Sequence, residues 1–178
     1  LGLRGTQAGD DAMRQLAQHY ELQTLSVDSE NLTDLGMLDL CGVISLQTLT
    51  IGAPAKITDE GFRDFWRLQR LRILSLEVDG LTGEGFSTLS EARNLDQLTL
   101  RSSALTDIAL DHISAIPKLR YLTIHGGSSA LTDKGLMMLT ESEKLIGLNI
   151  TLAGTQITDE AIERLKEAKP ELKVESRR

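Results

Sequence analysis

The sequence is poor in aromatic residues, cysteine and proline. Phe, Tyr and Trp make up 3% of its 178 residues, so a core must be assembled from Leu and Ile at regular positions. Cys41 is the single cysteine, which excludes an internal disulfide framework and any metal site built from several cysteines. No stretch of about 18 consecutive apolar residues is present, so we predict no membrane span.

Positive charge is also scarce. Lys and Arg number 19 against 26 Asp and Glu, which gives a formal net charge of −7. No basic run interrupts this acidic character, so nucleic acid is not expected as the main partner. The start shows no charged-then-apolar leader, and with the single cysteine this favours a cytoplasmic location without establishing it. The first residue is Leu1 and not Met, so removal of a leader or of a longer upstream region would explain this start.

The abundant feature is repetition. A pattern of three apolar residues, L-x-x-L-x-L or a close variant, recurs six times at spacings of 24, 25, 24, 24 and 26 residues. Alternate apolar positions predict a short strand with its apolar side chains on one face. The strand segments are 22–27, 46–51, 71–76, 95–100, 119–124 and 145–150.

Each strand segment is followed by a second recurring segment, close to Leu-Thr-Asp-x-Gly. Its Thr or Asp can cap a helix, and acidic residues in the first turn suit the helix dipole. One position accepts only a small side chain, which predicts close packing against a neighbouring repeat. That position is held by Gly36, Gly61, Gly85, Ala109, Gly135 and Ala161.

A strand that returns through a helix lies parallel to the next strand, and one such unit cannot bury both elements alone. A period in the twenties with this strand pattern is the leucine-rich-repeat signature. The chain resembles leucine-rich-repeat proteins over almost its whole length. It is nearest to the LTDxGL-type repeats common in bacterial proteins and similar to the cysteine-containing repeat subfamily of F-box adaptors. The resemblance implies an α/β solenoid, or horseshoe, with a parallel β-sheet on the concave face and helices on the convex face.

The chain departs from both of these repeat types, and the departures bear on which functions are expected. The cysteine of the cysteine-containing subfamily is missing from the equivalent positions, and the Asn ladder of shorter repeats is absent. No F-box-like segment precedes the repeats within this sequence. A ubiquitin-ligase adaptor is therefore not expected.

We predict a single domain over residues 1–178 with about seven repeats. Residues 8–16 fit the helical half of a repeat whose strand is represented by residues 1–3, so the chain opens within a repeat. Residues 157–178 are expected to form a polar C-terminal cap, with a helix and a short final strand at 172–174.

Side chains alternate along a strand, so the residues that flank the inward apolar positions should face the concave surface. Polar and aromatic residues there are richest around Tyr121, and Tyr and Arg are frequent binding anchors. We therefore predict Tyr121 as the central anchor for a partner, with a solvated mixed-charge face as the alternative. The other candidate partner-binding residues are Arg72, Asp96, Gln97, Arg101, Arg120, Thr123 and His125.

Two repeats carry extra residues after their strands, at 125–130 and 151–156. Because the strands are adjacent, these inserted loops should share one rim beside Tyr121 and His125. Inserted loops on one face often mark a binding side, although length drift without a role is the other explanation. In a third loop, Pro54 is predicted to stiffen the chain.

Cys41 and Trp66 occupy equivalent positions near the ends of their helices. The position is shared with polar residues in other repeats, which predicts that it is at least partly exposed. Trp66 is expected to pack along neighbouring helices, with a contact on the convex side as the alternative.

The histidines and serines of the sequence do not match a known catalytic pattern, which favours a binding role. The three histidines belong to different parts of the repeat, so no metal site and no cofactor are expected. Ser128 and Ser129 near His125 leave a hydrolase as a remote alternative, because no strained nucleophile turn or positioned acid accompanies them. We predict a non-catalytic module that binds another protein through the concave sheet and the inserted loops. The main alternative is a structural or regulatory segment of a larger protein.

Overall fold

The protein is described by a computed structural model that covers residues 1–52 and 55–178; the prediction for Pro54 lies outside the described residues. Its strands form one parallel sheet in which each strand pairs with its neighbours in sequence order. The strands are β1 (Gly2–Arg4), β2 (Thr24–Asp28), β3 (Thr48–Gly52), β4 (Ile73–Glu77), β5 (Gln97–Arg101), β6 (Tyr121–His125), β7 (Gly147–Thr151) and β8 (Lys173–Arg177).

Helical segments connect the strands and line the convex side, which confirms the predicted α/β horseshoe. The α-helices are α1 (Asp10–Leu16), α2 (Asp34–Leu40), α3 (Asp107–Ser114), α4 (Asp133–Met138) and α5 (Asp159–Ala168). Four further segments are 3₁₀ helices: Asp59–Phe62, Phe65–Arg67, Glu84–Glu91 and Leu139–Glu141.

The two repeats between β3 and β5 are built from 3₁₀ helices only, and they contain all three phenylalanines of the sequence. The ring centroids of Phe62 and Phe65 are 4.9 Å apart, and those of Phe62 and Phe86 are 5.5 Å apart. All three side chains are fully buried. The Phe62–Phe86 contact is edge-to-face and the Phe62–Phe65 contact is tilted. Such aromatic pairs add to the burial of apolar area, so this cluster is the bulkiest part of the core.

The strand register aligns equivalent residues of successive repeats, as the sequence predicts. Leu74 pairs with Leu98, and Leu98 pairs with Leu122, with the same offset in each neighbouring pair. The resulting column of inward leucines is at most 2% exposed throughout. Its members are Leu25, Leu49, Leu74, Leu98, Leu122 and Leu148.

The aspartate that begins five of the helical segments has a role that the sequence did not predict. Its carboxylate accepts hydrogen bonds from both the backbone N–H and the hydroxyl of the Thr in the next repeat, with distances between 2.6 and 3.1 Å. Five such rungs join consecutive repeats, and we name them the Asp–Thr ladder. Its pairs are Asp10–Thr33, Asp34–Thr58, Asp59–Thr82, Asp107–Thr132 and Asp133–Thr158.

At three of the six small-residue positions the Asp–Thr ladder explains why a glycine is present. At Gly36, Gly61 and Gly135 an added Cβ would collide with the Asp carboxylate of the preceding repeat. The same Thr hydroxyl that donates to this carboxylate also accepts the N–H two residues on at Thr33, Thr58 and Thr132, which caps the helical segment. Capping Thr, aspartate and glycine thus form one contact between repeats.

The Asp–Thr ladder is interrupted at Gly83, which stands where other repeats have Asp. Thr106 instead donates from its N–H and its hydroxyl to the Thr82 carbonyl oxygen, at 3.0 and 3.1 Å. Nδ1 of His112 lies 2.9 Å from the Gly83 carbonyl oxygen. The vacated space accepts the methyl group of Ala109, and Gly83 has a φ of 99°, a left-handed conformation that favours glycine. Gly83 directly precedes this helical segment, and the Thr82 hydroxyl still accepts the N–H of Glu84 at 3.3 Å, as the capping threonines of other repeats do.

The first prediction concerns the two faces of β5. We expect Leu98→Ala to lower the free energy of unfolding by about 2 to 5 kcal/mol, because a fully buried large side chain leaves a cavity. Thr99→Ala, on the concave face of the same strand, should change it by less than about 0.5 kcal/mol. Chemical denaturation of both variants measures the difference, and equal losses would contradict the assignment of the faces.

The second prediction concerns Asp59, whose carboxylate accepts hydrogen bonds from Thr82, Gly83 and Gly85. Desolvation alone would raise its pKa, but the hydrogen bonds from Thr82 and from the two glycine N–H groups outweigh it and lower the pKa. We expect Asp59→Asn to lower the free energy of unfolding at pH 7 by about 1.5 to 3 kcal/mol. The matched control Glu60→Gln, which removes an exposed charge, should change it by less than about 0.5 kcal/mol.

The lowered pKa of Asp59 in the folded protein also determines how the free energy of unfolding depends on pH. The contribution of the Asp59 carboxylate is fully present above the unfolded-state pKa of about 3.9 and is lost as the pH falls through the native pKa. Denaturation at a series of pH values should therefore show the difference between wild type and Asp59→Asn shrinking below about pH 4. A difference that stays constant down to strongly acidic pH would contradict a role of the charge.

Candidate functional site

Tyr121 is the most prominent side chain on the concave sheet. It is the first residue of β6 and remains 41% exposed although it lies in the middle of the structure. Gln97 and Gly147 are its partners on the two neighbouring strands. These register partners form a row across the sheet, which we name the concave row. An added Cβ at Gly147 would lie 2.8 Å from Cδ1 of Tyr121, so the tyrosine ring lies over the one position of the concave row that has no side chain.

The orientation of Tyr121 is supported by a chain of charged contacts. The guanidinium of Arg120 lies 5.3 Å from the centroid of the Tyr121 ring, and its Nη2 is 3.4 Å from the hydroxyl oxygen. Nη1 of the same guanidinium is 3.6 Å from Oδ1 of Asp96. Asp96, Arg120 and Tyr121 therefore form one contiguous group, and cation–π attraction helps to hold the ring.

A notch of about 280 Å³ lies next to Tyr121. Gly147 forms its floor, and Tyr121 and Ile146 border it on one side. Lys173 and Glu175 of β8 border it on the other, where Glu175 accepts a hydrogen bond from Asn149. The notch can take a single partner side chain beside the tyrosine ring. Sequence analysis did not single out Gly147, although a glycine within a row of larger residues was a visible signal.

The remaining predicted residues divide between this group and the opposite strand ends. Thr123 is half-buried in the middle of β6 and lines the notch beside Tyr121. Arg101 and His125 are register partners at the far ends of β5 and β6, and Arg101 is 3.9 Å from the carboxylate of Glu77. Four residues of strand separate His125 from Tyr121, or roughly 13 Å. The structure therefore divides the predicted site into a group around Tyr121 and a second pair at the opposite strand ends.

The two inserted loops lie against each other at the C-terminal ends of β6 and β7. An added Cβ at Gly127 would collide with the Ala153 carbonyl group, so the two backbones are in direct contact. The first loop follows His125 and the second follows Thr151, and the prediction that they also lie beside Tyr121 is wrong, because Tyr121 begins the strand that His125 ends. Because the two inserted loops pack on each other, they form one continuous surface.

The residues that precede β4 to β7 form the N-terminal rim of the sheet. A cleft of about 510 Å³ opens there, with Arg70 and Arg72 before β4 on one side and Lys118 before β6 on the other. Asn94, Asp96 and Gln47 complete its lining. We name these six residues the cationic cleft. Arg72 and Asp96 are among the binding residues predicted from the sequence. Arg70 and Lys118 are not, and each lies two residues before the repeat position that Arg72 and Asp96 share.

Comparison with solved structures identifies this architecture. The chain matches a chain of the yeast complex of Rad7 and Elc1 with a TM-score of 0.71 and 22% identity, over 98% of this chain and 48% of the other. It matches an internalin of Listeria monocytogenes with a TM-score of 0.67 and 17% identity, over 98% and 53%. It also matches an LRR protein of Leptospira interrogans with a TM-score of 0.55 and 14% identity, over 91% and 50%.

The chain has the leucine-rich-repeat fold. It spans about half the length of each of these three chains. No protein-family model and no curated protein sequence matches it. The likeness to solved structures thus concerns the fold.

One of the two serines considered for a hydrolase lies inside the protein. Ser128 is buried, and its hydroxyl oxygen accepts a hydrogen bond from the N–H of Ala130 at 3.3 Å. Within residues 1–52 and 55–178, no group of three His, Cys, Asp or Glu side chains is placed to hold a metal ion. Over the same residues, none of the helices combines the length and the apolar character that crossing a bilayer requires.

Cys41 and Trp66 behave differently although they share a position in the repeat. Trp66 is 46% exposed on the convex side, in agreement with the predicted exposure. The prediction is wrong for Cys41, which is fully buried and whose Sγ lies 3.4 Å from the Met37 carbonyl oxygen. A thiol is small and apolar enough to join the core between α2 and the next repeat, where hydroxyl or ammonium groups would not be tolerated.

The third prediction follows from this burial. Desolvation, aided by the negative charge of Asp64, raises the pKa of Cys41 to about 12. We therefore expect native Cys41 to resist alkylation by N-ethylmaleimide even at pH 9, and to react once the protein is unfolded. Mass spectrometry of labelling time courses measures this.

A matched control uses the same repeat position. In the Cys41→Ala, Ser90→Cys double variant the buried position keeps an apolar side chain, and the thiol occupies the exposed site of another repeat, where it should be labelled rapidly in the native state. Equal labelling rates for Cys41 and for this variant would refute the burial of Cys41.

Proposed function

We propose that residues 1–178 act as one domain of about seven repeats, a non-catalytic module that binds a protein partner through the concave sheet and the inserted loops. The observation that carries this proposal is the exposed Tyr121 ring beside the notch at Gly147. A large aromatic side chain that is already oriented loses little conformational entropy on binding, which is typical of anchor residues.

The surrounding polar residues contribute in a different way. The ion pairs of Arg120 with Asp96 and of Arg101 with Glu77 are exposed, so each contributes on the order of 1 kcal/mol or less. Gln97, Thr123, His125 and Arg72 offer hydrogen-bonding groups without a deep pocket of their own. We expect them to set orientation and specificity, while Tyr121 supplies most of the binding free energy.

The comparisons support an interaction role without assigning a partner. One matched chain comes from a structure of two proteins in complex, Rad7 and Elc1. The second candidate function is a structural or regulatory segment of a longer protein. It is favoured by the chain spanning about half the length of the solved chains that it matches.

The fourth prediction tests the concave face. Tyr121→Ala should weaken binding of the protein partner by about 30-fold or more, because removal of a binding anchor costs about 2 kcal/mol or more. The measurement is quantitative capture from an extract of the source cells with immobilised wild type and variant, followed by titration of the captured protein.

The matched control is Trp66→Ala, which removes an equally exposed aromatic side chain from the convex side. It should leave the partner bound. Circular dichroism and thermal unfolding establish that both variants are folded. If the partner is retained by Tyr121→Ala and lost by Trp66→Ala, the binding surface lies on the helices and the proposal is wrong.

A further inference from the structure

The N-terminal rim carries positive charge in a chain whose net charge is −7. The cationic cleft has three cationic side chains, Arg70, Arg72 and Lys118, against the single carboxylate of Asp96. A second hollow of about 450 Å³, lined largely by apolar atoms, continues from it past Arg120 and Lys144 to Ile146, with one further carboxylate at Glu143. Lys118 and Asp96 line both hollows, so they form one trough across the starts of β4 to β7.

Most of this positive charge is not neutralised within the protein. The guanidinium groups of Arg70 and Arg72 make no ion pair and no side-chain hydrogen bond with the residues that the structure describes. Nζ of Lys118 donates to the neutral Asn94 side chain at 3.2 Å. Asp96, the only acid of the cationic cleft, is already 3.6 Å from Arg120. The cations of the trough are therefore available to an outside anion.

The geometry suits an extended chain. Arg70 and Arg72 are two strands away from Lys118 and Arg120, which places the two sides roughly 10 Å apart because neighbouring strands are about 4.8 Å apart. The intervening repeat contributes only the shorter Asn94 and Asp96 side chains, so the middle of the cleft is low. An extended peptide rises about 3.3 Å per residue, so a few residues span both sides.

Charge selects among the possible anions. The helical segments carry carboxylates in their first turns, including Asp11, Glu60, Glu84 and Glu160, and give the opposite rim an acidic surface. A nucleic acid long enough to extend beyond the trough would meet a molecule whose net charge is −7 and be repelled. A short acidic peptide meets only the trough, where guanidinium groups can bind carboxylates in a bidentate fashion.

We propose that the cationic cleft and its continuation bind an extended acidic segment of a protein partner. This inference rests on the proposed function, because it assigns a chemistry to part of the partner that the concave sheet binds. The cleft adjoins the concave row directly, since Arg72 and Asp96 immediately precede Ile73 and Gln97 of that row. One partner can therefore contact both Tyr121 and the cleft.

The fifth prediction is tested with a short oligoglutamate peptide as the probe, titrated into isotopically labelled protein and followed by NMR. We expect amide shift changes at residues 70–73, 94–97 and 118–121, and binding that weakens as salt is added. The Arg72→Glu, Lys118→Glu double variant should weaken peptide binding at least about tenfold, because two attractive contacts become repulsive.

The matched control is the Lys134→Glu, Arg164→Glu double variant. It makes the same change in net charge at exposed positions of α4 and α5 and should bind the peptide as wild type does. Equal weakening by both double variants would mean that net charge alone acts, and the proposal would be wrong. It would also be overturned by the absence of shift changes at the N-terminal rim, or by tighter binding of a single-stranded oligonucleotide with the same dependence on Arg72 and Lys118.

The two proposals can fail separately. Tyr121→Ala should weaken oligoglutamate binding far less than the Arg72→Glu, Lys118→Glu double variant does, since Tyr121 acts on the cations of the cleft only through its contact with Arg120. If the peptide does not bind while partner capture depends on Tyr121, the acidic segment is refuted and the concave interface stands. If the peptide binds the cleft but Tyr121→Ala does not affect partner capture, the acidic segment is supported and the concave interface is refuted.

Discussion

The structure depends on the in-register pairing of parallel strands. Because Leu98 lies between Leu74 and Leu122, each repeat buries its apolar face against its two neighbours and cannot do so alone. This constraint fixes the length of the repeat, and any extra residue has to leave the stack at a strand end. The 26-residue repeat between β6 and β7 follows this rule, since its additional residues lie in the loop where Gly127 packs on Ala153.

The same strand register determines which residues of the next repeat the aspartates at the helix starts contact. An aspartate at the start of one helical segment is brought next to the Thr of the following repeat, and its carboxylate accepts two hydrogen bonds there. Five aspartates of the acidic sequence are used in this way to join repeats. The Asp–Thr ladder joins the starts of the helical segments and places no constraint on the residues that precede the strands. Arg70, Arg72 and Lys118 lie before the strands and have no carboxylate partners among the described residues. A net charge of −7 therefore conceals two surfaces of opposite character.

Features that repeat could be predicted from the sequence, and features that depend on differences between neighbouring repeats could not. The fold, the inward leucines and the rows that contain Tyr121 and Thr123 follow from period and alternation alone. The burial of Cys41 and the accommodation of Ala109 opposite Gly83 depend on the size of a side chain in the adjacent repeat. The position of Tyr121 over Gly147 is of the same kind, because the ring uses space that a larger residue on β7 would fill. A pattern averaged over six repeats does not contain these pairwise contacts.

Arg120 connects the two surfaces that we propose for binding. Its guanidinium lies over the Tyr121 ring at 5.3 Å and pairs with Asp96 at the edge of the cationic cleft. A carboxylate that enters the cleft competes with Asp96 for this guanidinium, while the cation–π contact with the ring can persist because it uses the face of the group. The free energies of binding at the cleft and at Tyr121 are then not independent, since both include the position of one side chain. An interface that joins an aromatic anchor to a charged trough through a shared arginine can reject a partner that offers only one of the two features.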